Sequence, residues 1–178
     1  MRRLLWLSVG MLAAALIASP GVAGAGHAHH LRGDCTIGGT PGGDHLVGTD
    51  GPDVICAGGG NDFIRAKGGD DSIASGAGED TVIAGAGKDV VDGGAGEDLI
   101  DGNLGADVLR GGPGPDTLRG LGGPDKLFGQ AGPDCLFTFD NVGGNDYADG
   151  GIGLDTWNSD EGDTLVSAEH PGDCGGLG

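Results

Sequence analysis

The chain has 178 residues, of which 43 are glycine and only 4% are aromatic. A conventional core of large side chains is therefore not expected, and this composition is typical of either disorder or a repeat architecture. The formal net charge of −18 argues against nucleic acid and anionic membranes as partners, and it favours cations.

Residues 1–25 are predicted to be a secretory signal peptide. Two arginines precede a short apolar run, and the residues AGA at 23–25 form an A-x-A cleavage site. A membrane anchor is the alternative, but the run is short and rich in small residues. No other stretch is long and apolar enough to span a bilayer, so no membrane insertion of the mature chain is expected. We expect a secreted, extracellular or cell-surface protein.

Residues 26–32 form a short leader between the cleavage site and the first repeat. The leader contains His27, His29 and His30, so a metal-binding tail is one interpretation. A disordered segment is the simpler one, because short chain ends without a core are seldom ordered.

An apolar residue recurs every nine residues through most of the chain, with aspartate two positions before it and glycine four positions before it. The apolar column comprises Leu46, Ile55, Ile64, Ile73, Val82, Val91, Ile100, Leu109, Leu118, Leu127 and Leu136. The aspartate column comprises Asp44, Asp53, Asp62, Asp71, Asp80, Asp89, Asp98, Asp107, Asp116, Asp125 and Asp134. The glycine column runs from Gly42 to Gly132 at the same interval. All three columns are complete, which chance does not explain.

This repeat predicts a solenoid of short strands and turns. The apolar residue and its two neighbours form a minimal strand with one side chain facing inward. The glycine-rich segment forms a turn, because glycine adopts positive φ angles that other residues resist. Two repeats close a coil of eighteen residues, so residue i lies beneath residue i+18. The eleven repeats predict an all-β fold, a right-handed parallel β-roll of about five and a half coils, roughly 25 Å long.

The repeating frame is G-G-x-G-x-D-x-U-x, seen best in the residues GGAGEDLID at 93–101. In this frame the sequence resembles the calcium-binding nonapeptide repeats of RTX (repeats-in-toxin, hemolysin-type) proteins, over roughly residues 38–157. The resemblance implies a β-roll whose repeats bind calcium. The second glycine is replaced in several repeats, where we expect looser turns or a slightly different geometry: Thr40, Thr49, Lys67, Leu121 and Gln130.

Stacking places the aspartates in two columns, one along each edge of the roll. Carboxylates at coil spacing repel one another unless a cation lies between them. Hard oxygen ligands in flexible glycine loops suit Ca²⁺, whereas Mg²⁺ demands a tighter octahedral geometry. We expect several Ca²⁺ ions, up to about nine in the uninterrupted stretch, held by Asp44, Asp53, Asp62, Asp71, Asp80, Asp89, Asp98, Asp107, Asp116, Asp125, Asp134, Asp146 and Asp155. The alternative, solvated turn formers without ions, does not account for an aspartate in every repeat.

Four cysteines in an exported chain predict two disulfides, with three possible connectivities. One pair lies near each end of the repeat block, so we predict the disulfides Cys35–Cys56 and Cys135–Cys174 and a roll with disulfide-capped ends. The first closes a loop that contributes about 3 kcal/mol in the loop-entropy model.

The register slips by three residues at 137–143 and then resumes with Asp146 and Asp155. Most of the aromatic residues lie in this region, and we interpret them as a hydrophobic lid over the last coil. A carbohydrate-stacking patch is the alternative. The roll is expected to span residues 33–158, and a C-terminal cap residues 159–178.

Outward positions one coil apart carry opposite charges. Asp92 and Arg110 are eighteen residues apart, as are Asp101 and Arg119. Each pair is expected to form an exposed ion pair that contributes up to about 1 kcal/mol.

The sequence contains no nucleophile elbow, zinc-protease motif or P-loop. Every carboxylate of the repeats has the same surroundings as the next, so nothing separates a catalytic acid from a base. We therefore expect no enzyme, but a secreted calcium-ion-binding protein that folds on binding Ca²⁺ and has a structural or cell-surface role. The alternative is a Ca²⁺-dependent binding module for an extracellular polysaccharide or cell-wall component.

Overall fold

The computed structural model describes residues 34–140, 145–167 and 170–171. In these ranges the ordered elements are β-strands, and they form two parallel sheets of eight strands each. No helix in the same ranges is long and apolar enough to cross a membrane. The predicted signal peptide and leader lie outside the described residues. The predicted all-β roll is confirmed.

Successive strands alternate between the two sheets. The first sheet contains β1 (Ile37–Gly38), β3 (Val54–Gly59), β5 (Ser72–Ala77), β7 (Val90–Ala95), β9 (Val108–Pro113), β11 (Lys126–Ala131), β13 (Tyr147–Ile152) and β15 (Thr164–Val166). The second sheet contains β2 (His45–Val47), β4 (Phe63–Gly68), β6 (Thr81–Gly87), β8 (Leu99–Gly105), β10 (Thr117–Gly122), β12 (Cys135–Phe137), β14 (Thr156–Asn158) and β16 (His170–Pro171).

The strand register follows the eighteen-residue coil. From β1 to β10 each paired residue has its later partner eighteen positions further along the chain, as Ile37 has Ile55. At the slip this offset becomes twenty-one, as between Leu136 and Trp157, so the roll absorbs the three-residue insertion without breaking either sheet. Eight strands in each sheet give seven steps of about 4.8 Å and a roll about 34 Å long. The roll is longer than predicted because strands outside the eleven repeats extend it at both ends.

The core is a narrow double row of aliphatic side chains between the sheets. Ten of the eleven predicted apolar residues, from Ile55 to Leu136, are 0–1% exposed, and Leu46 at the front is partly buried. Each buried Ile, Leu or Val contributes about 1.5–3 kcal/mol. Trp157 and Leu165 take the corresponding positions in the last coils and are partly buried.

The turns depend on glycine at two positions of the frame. Gly94 and Gly96 have φ angles of 100° and 140°, which L-residues rarely adopt. A β-carbon on Gly96 would also collide with the carbonyl oxygen of Gly78 in the preceding coil. Close stacking of turns therefore requires glycine here.

Replacement of the second glycine has two different outcomes. Lys67, Leu121 and Gln130 keep positive φ, at 72–85°, below the 100–126° of the glycines at this position from Gly58 to Gly112, so the geometry of these turns differs only slightly, as expected. Thr40 and Thr49 do not adopt positive φ, and their turns have another geometry. Threonine is β-branched, and its stiff side chain tolerates positive φ poorly.

The disulfide Cys35–Cys56 is present, with the two Cα atoms 6.0 Å apart, so the prediction for the front end is confirmed. Cys135 is also disulfide-bonded. Its predicted partner, Cys174, lies outside the described residues.

The aromatic residues near the slip do not form one lid. Phe128 directly follows the buried Leu127, and Tyr147 directly precedes the buried Ala148. Because side chains alternate along a strand, both rings lie on the outer face of the sheet. Their ring centroids are 5.8 Å apart. Phe137 is likewise outward, and Phe139 is 49% exposed. Of these aromatics, Trp157 packs against the core.

One of the two predicted ion pairs is present. Arg119 Nη1 lies 3.5 Å from Asp101 Oδ1. Arg110 is opposite Asp92 in the register, but its guanidinium lies over the ring of Phe128, 5.7 Å from the centroid, and forms no ion pair with Asp92.

Candidate metal centre

The repeat aspartates form two columns, as the sequence predicts. In each column the backbone N–H of one aspartate donates a hydrogen bond to Oδ1 of the aspartate in the next coil, at 2.7–2.9 Å. One column contains Asp44, Asp62, Asp80, Asp98, Asp116, Asp134 and Asp155, and the other contains Asp53, Asp71, Asp89, Asp107, Asp125 and Asp146. Both columns continue across the register slip, with Asp155 following Asp134 in the first and Asp146 following Asp125 in the second.

Most of these carboxylates are buried with one oxygen lacking a partner. Eleven of them are 0–3% exposed, and their Oδ2 atoms are buried without a hydrogen bond: Asp62, Asp71, Asp80, Asp89, Asp98, Asp107, Asp116, Asp125, Asp134, Asp146 and Asp155. A buried carboxylate oxygen without a partner is costly, and it is stabilised best by a proton or a cation. The same orphaned oxygen recurs in eleven successive repeats, from Asp62 to Asp155.

Backbone oxygens lie close to these orphaned atoms. A β-carbon on Gly93 would lie 2.6 Å from Asp98 Oδ2 and 2.7 Å from the carbonyl oxygen of Gly111 in the next coil. Both oxygens therefore border the small space left by the missing side chain of glycine, as does Cδ1 of Ile100, 3.0 Å from the same β-carbon position. Four other repeats have a small buried residue at this position of the frame, namely Ala57, Ala66, Ser75 and Ala84.

Side chains alone do not complete a metal site. Within the described ranges, no group of three or more His, Cys, Asp or Glu side chains is arranged to hold a metal ion. Ca²⁺ takes six to eight oxygen ligands and readily accepts backbone carbonyls and water alongside carboxylates. A calcium site built from these residues would therefore be mixed, with an aspartate oxygen joined by backbone oxygens of adjacent turns.

Burial makes the charged form of these aspartates costly. Desolvation raises the pKa of Asp89 and Asp98 to about 6 and that of Asp116, Asp125 and Asp134 to about 7. The hydrogen bond from the preceding aspartate's N–H lowers each pKa in part, and neighbouring carboxylates of the column raise it further. Burial and the neighbouring carboxylates therefore disfavour the charged form of these aspartates, and protonation or a nearby cation would relieve that cost.

The second column has a further member that the sequence analysis missed. Asp163 Oδ1 accepts a hydrogen bond from the N–H of Asp146 at 3.3 Å, the position that the next repeat aspartate would take. Its offset from Asp146 is seventeen residues, so the strict period does not find it. The Asp-x-apolar triplet formed with Leu165 is the signal that finds it.

The first aspartate of each column differs from the rest. The N–H and hydroxyl of Thr40 donate to Asp44 Oδ2 at 2.6 and 2.9 Å. Those of Thr49 donate to Asp53 Oδ2 at 2.7 and 3.0 Å. Sequence analysis identified the two threonines as departures from the frame, but it did not identify these bonds.

Comparison with protein families agrees with the site. The model for the RTX calcium-binding nonapeptide repeat matches in four copies, at residues 38–73, 65–100, 74–109 and 110–137, and so covers more than half of the chain. The chain belongs to this family. RTX repeats bind calcium in a β-roll that is structural rather than catalytic, so the expected metal is supported at the level of the family. No curated protein matches the chain.

Proposed function

We propose that this RTX protein binds a row of Ca²⁺ ions between the stacked turns on each edge of the roll and folds on binding them. The main support for this proposal is that eleven buried aspartate Oδ2 atoms, repeated from coil to coil, have no hydrogen-bond partner. An ion beside each of these atoms neutralises the carboxylates that burial and mutual repulsion otherwise destabilise.

The columns suggest the number of ions. Six carboxylates from Asp62 to Asp155 leave five gaps on one edge, and five from Asp71 to Asp146 leave four on the other. With one ion in each gap, the roll binds about nine Ca²⁺. Calcium stoichiometry measured by isothermal titration on the mature chain tests this. A stoichiometry of one or two per chain is incompatible with a row of ions.

We also propose that the protein is exported and has a structural or cell-surface role. The support is the predicted signal peptide of residues 1–25, together with the Cys35–Cys56 disulfide, since disulfides persist in oxidising compartments. Expression in a secreting host, followed by N-terminal sequencing of the released protein, tests the proposal. A mature chain that begins near residue 26 supports it, and an uncleaved chain inside the cell contradicts it.

A second candidate function is a Ca²⁺-dependent module for binding an extracellular polysaccharide or cell-wall component. The observation that favours it is the outward placement of Phe128, Phe137 and Tyr147 together with the half-exposed Phe139, because exposed aromatic rings stack on sugars. A glycan array probed with and without Ca²⁺ decides between the two functions. In neither does the chain act as an enzyme, which is itself part of the proposal.

A further inference from the structure

We propose that the first two turns of the roll are closed by threonine instead of calcium, so that residues 34–56 form a metal-independent cap. This inference rests on the proposed function, since it divides the thirteen predicted aspartate ligands into eleven that bind ions and two that do not. The row of ions then begins at Asp62 on one edge and at Asp71 on the other.

The first argument comes from the carboxylates. Asp44 Oδ2 and Asp53 Oδ2 each accept a threonine N–H at 2.6–2.7 Å and lie 2.9–3.0 Å from its hydroxyl. The single hydroxyl proton also has the carbonyl of Gly42 or Gly51 within 3.1 Å, but the charged carboxylate is the closer and stronger acceptor. Charge-assisted bonds of this length are strong. A cation beside either Oδ2 would face the positive ends of an N–H and an O–H dipole, and it would have to displace both donors. In the repeats from Asp62 to Asp155 the equivalent atom has no partner.

The second argument comes from the backbone. The nine turns from Gly58 to Gly132 combine positive φ at the second and fourth positions of the frame, as in Gly94 and Gly96. In the first two turns neither the threonine nor the following Gly42 or Gly51 has positive φ. Each threonine hydroxyl instead accepts a hydrogen bond from the N–H of that glycine at 3.2 Å. The turn is thus closed by its own Thr, Gly and Asp, and its geometry is not that of the turns with orphaned oxygens.

The third argument comes from the rest of the cap. The disulfide between Cys35 and Cys56 joins the first coil covalently. Cys35 also stands in the frame where a column aspartate is expected. Thr36 Oγ1 accepts the N–H of Val54 at 2.9 Å and lies 3.4 Å from Asp53 Oδ1. Covalent and neutral hydrogen-bonding groups thus replace ions at this end, and the cap offers a preformed surface on which the first calcium-bound coil stacks.

Two matched double variants test the cap. The change Asp44→Ala with Asp53→Ala removes one carboxylate from each edge in the cap. The change Asp80→Ala with Asp89→Ala removes one from each edge two coils further on. Calcium bound at saturation is counted by isothermal titration on the full mature chain, with circular dichroism confirming the fold. We expect the cap variant to bind as many ions as wild type and the central variant to lose at least two. Loss of ions from the cap variant overturns the cap, whereas a wild-type chain that binds no calcium overturns the proposed function.

A milder double variant tests the same proposal if the chain with Asp44→Ala and Asp53→Ala does not fold. Thr40→Val with Thr49→Val removes only the two hydroxyls and keeps both carboxylates. We expect an unchanged number of bound ions and a lower urea midpoint in saturating calcium, because hydrogen bonds that no ion replaces are lost. An unchanged midpoint, or a loss of ions, contradicts a cap held by threonine.

Discussion

Replacing Gly96 with alanine is expected to destabilise the calcium-bound roll by about 2–6 kcal/mol. Gly96 has a φ of 140°, and a non-glycine residue in such a conformation costs about 1–3 kcal/mol. The added β-carbon also collides with the carbonyl oxygen of Gly78 in the coil below. Relieving that overlap requires a backbone shift that costs about 1–3 kcal/mol more.

Gly42 provides the matched control, because it occupies the same frame position in the same column of turns. It lacks positive φ, and the only neighbouring atom that a β-carbon would meet within 4 Å is Thr40 Oγ1, at 4.0 Å. Gly42→Ala is therefore expected to change the free energy of unfolding by no more than about 0.5 kcal/mol. Urea unfolding in saturating calcium, followed by far-UV circular dichroism, measures both variants. Equal destabilisation by the two changes would refute the claim that turn stacking requires glycine at Gly96.

Three further predictions concern protons, ions and covalent links. Burial raises the pKa of Asp116, Asp125 and Asp134 from 3.8 to about 7 in the calcium-free fold. The folded state therefore binds more protons than the unfolded state between about pH 4 and pH 7, and its free energy of unfolding falls as the pH rises through that range. In calcium-free buffer, circular dichroism should accordingly show more β-structure at about pH 5 than at about pH 8, and the reverse order would contradict the sign. Asp98→Ala should remove about two bound Ca²⁺ and raise the midpoint of the calcium transition, because Asp98 lies between Asp80 and Asp116 in its column. A variant that binds as many calcium ions as the wild type would show that the ions lie elsewhere. Non-reducing peptide mapping should find Cys135 linked to Cys174, since a link from Cys135 to either front cysteine would have to span most of a roll about 34 Å long.

Much of this fold could be predicted from the sequence because one period controls every level of it. Nine-residue spacing places Ile55 inward and Asp53 at the turn, and the same spacing repeats without interruption to Leu136. Strand alternation, turn position and coil stacking therefore all follow from one register. Even the slip was visible, since Asp146 and Asp155 resume the frame.

Other features depend on choices that the period does not control. Lys67 and Thr49 both replace the second glycine, yet Lys67 keeps positive φ and Thr49 does not, because only threonine is β-branched and can also bond the nearby carboxylate. Arg119 lies over Phe137 and also pairs with Asp101, whereas Arg110 lies over Phe128 and does not pair with Asp92. Contacts of either kind at the surface contribute only about 1 kcal/mol or less. The repeat spacing predicts which residues lie next to a side chain, but not which of these neighbours the side chain contacts.

Calcium dependence of folding is the central claim. If the free calcium concentration is about ten times the dissociation constant, each site contributes roughly 1.4 kcal/mol, and about nine sites contribute on the order of 10 kcal/mol, the stability of a whole domain. Without ions, a chain with a formal net charge of −18 carries columns of buried carboxylates that oppose folding at neutral pH.

The most direct test is far-UV circular dichroism of the mature protein at neutral pH, first in EGTA and then during titration with Ca²⁺. We predict little β-structure in EGTA and a cooperative rise as calcium is added. A fully formed β spectrum in EGTA, unchanged by calcium, would contradict the claim that this roll folds on binding its ions.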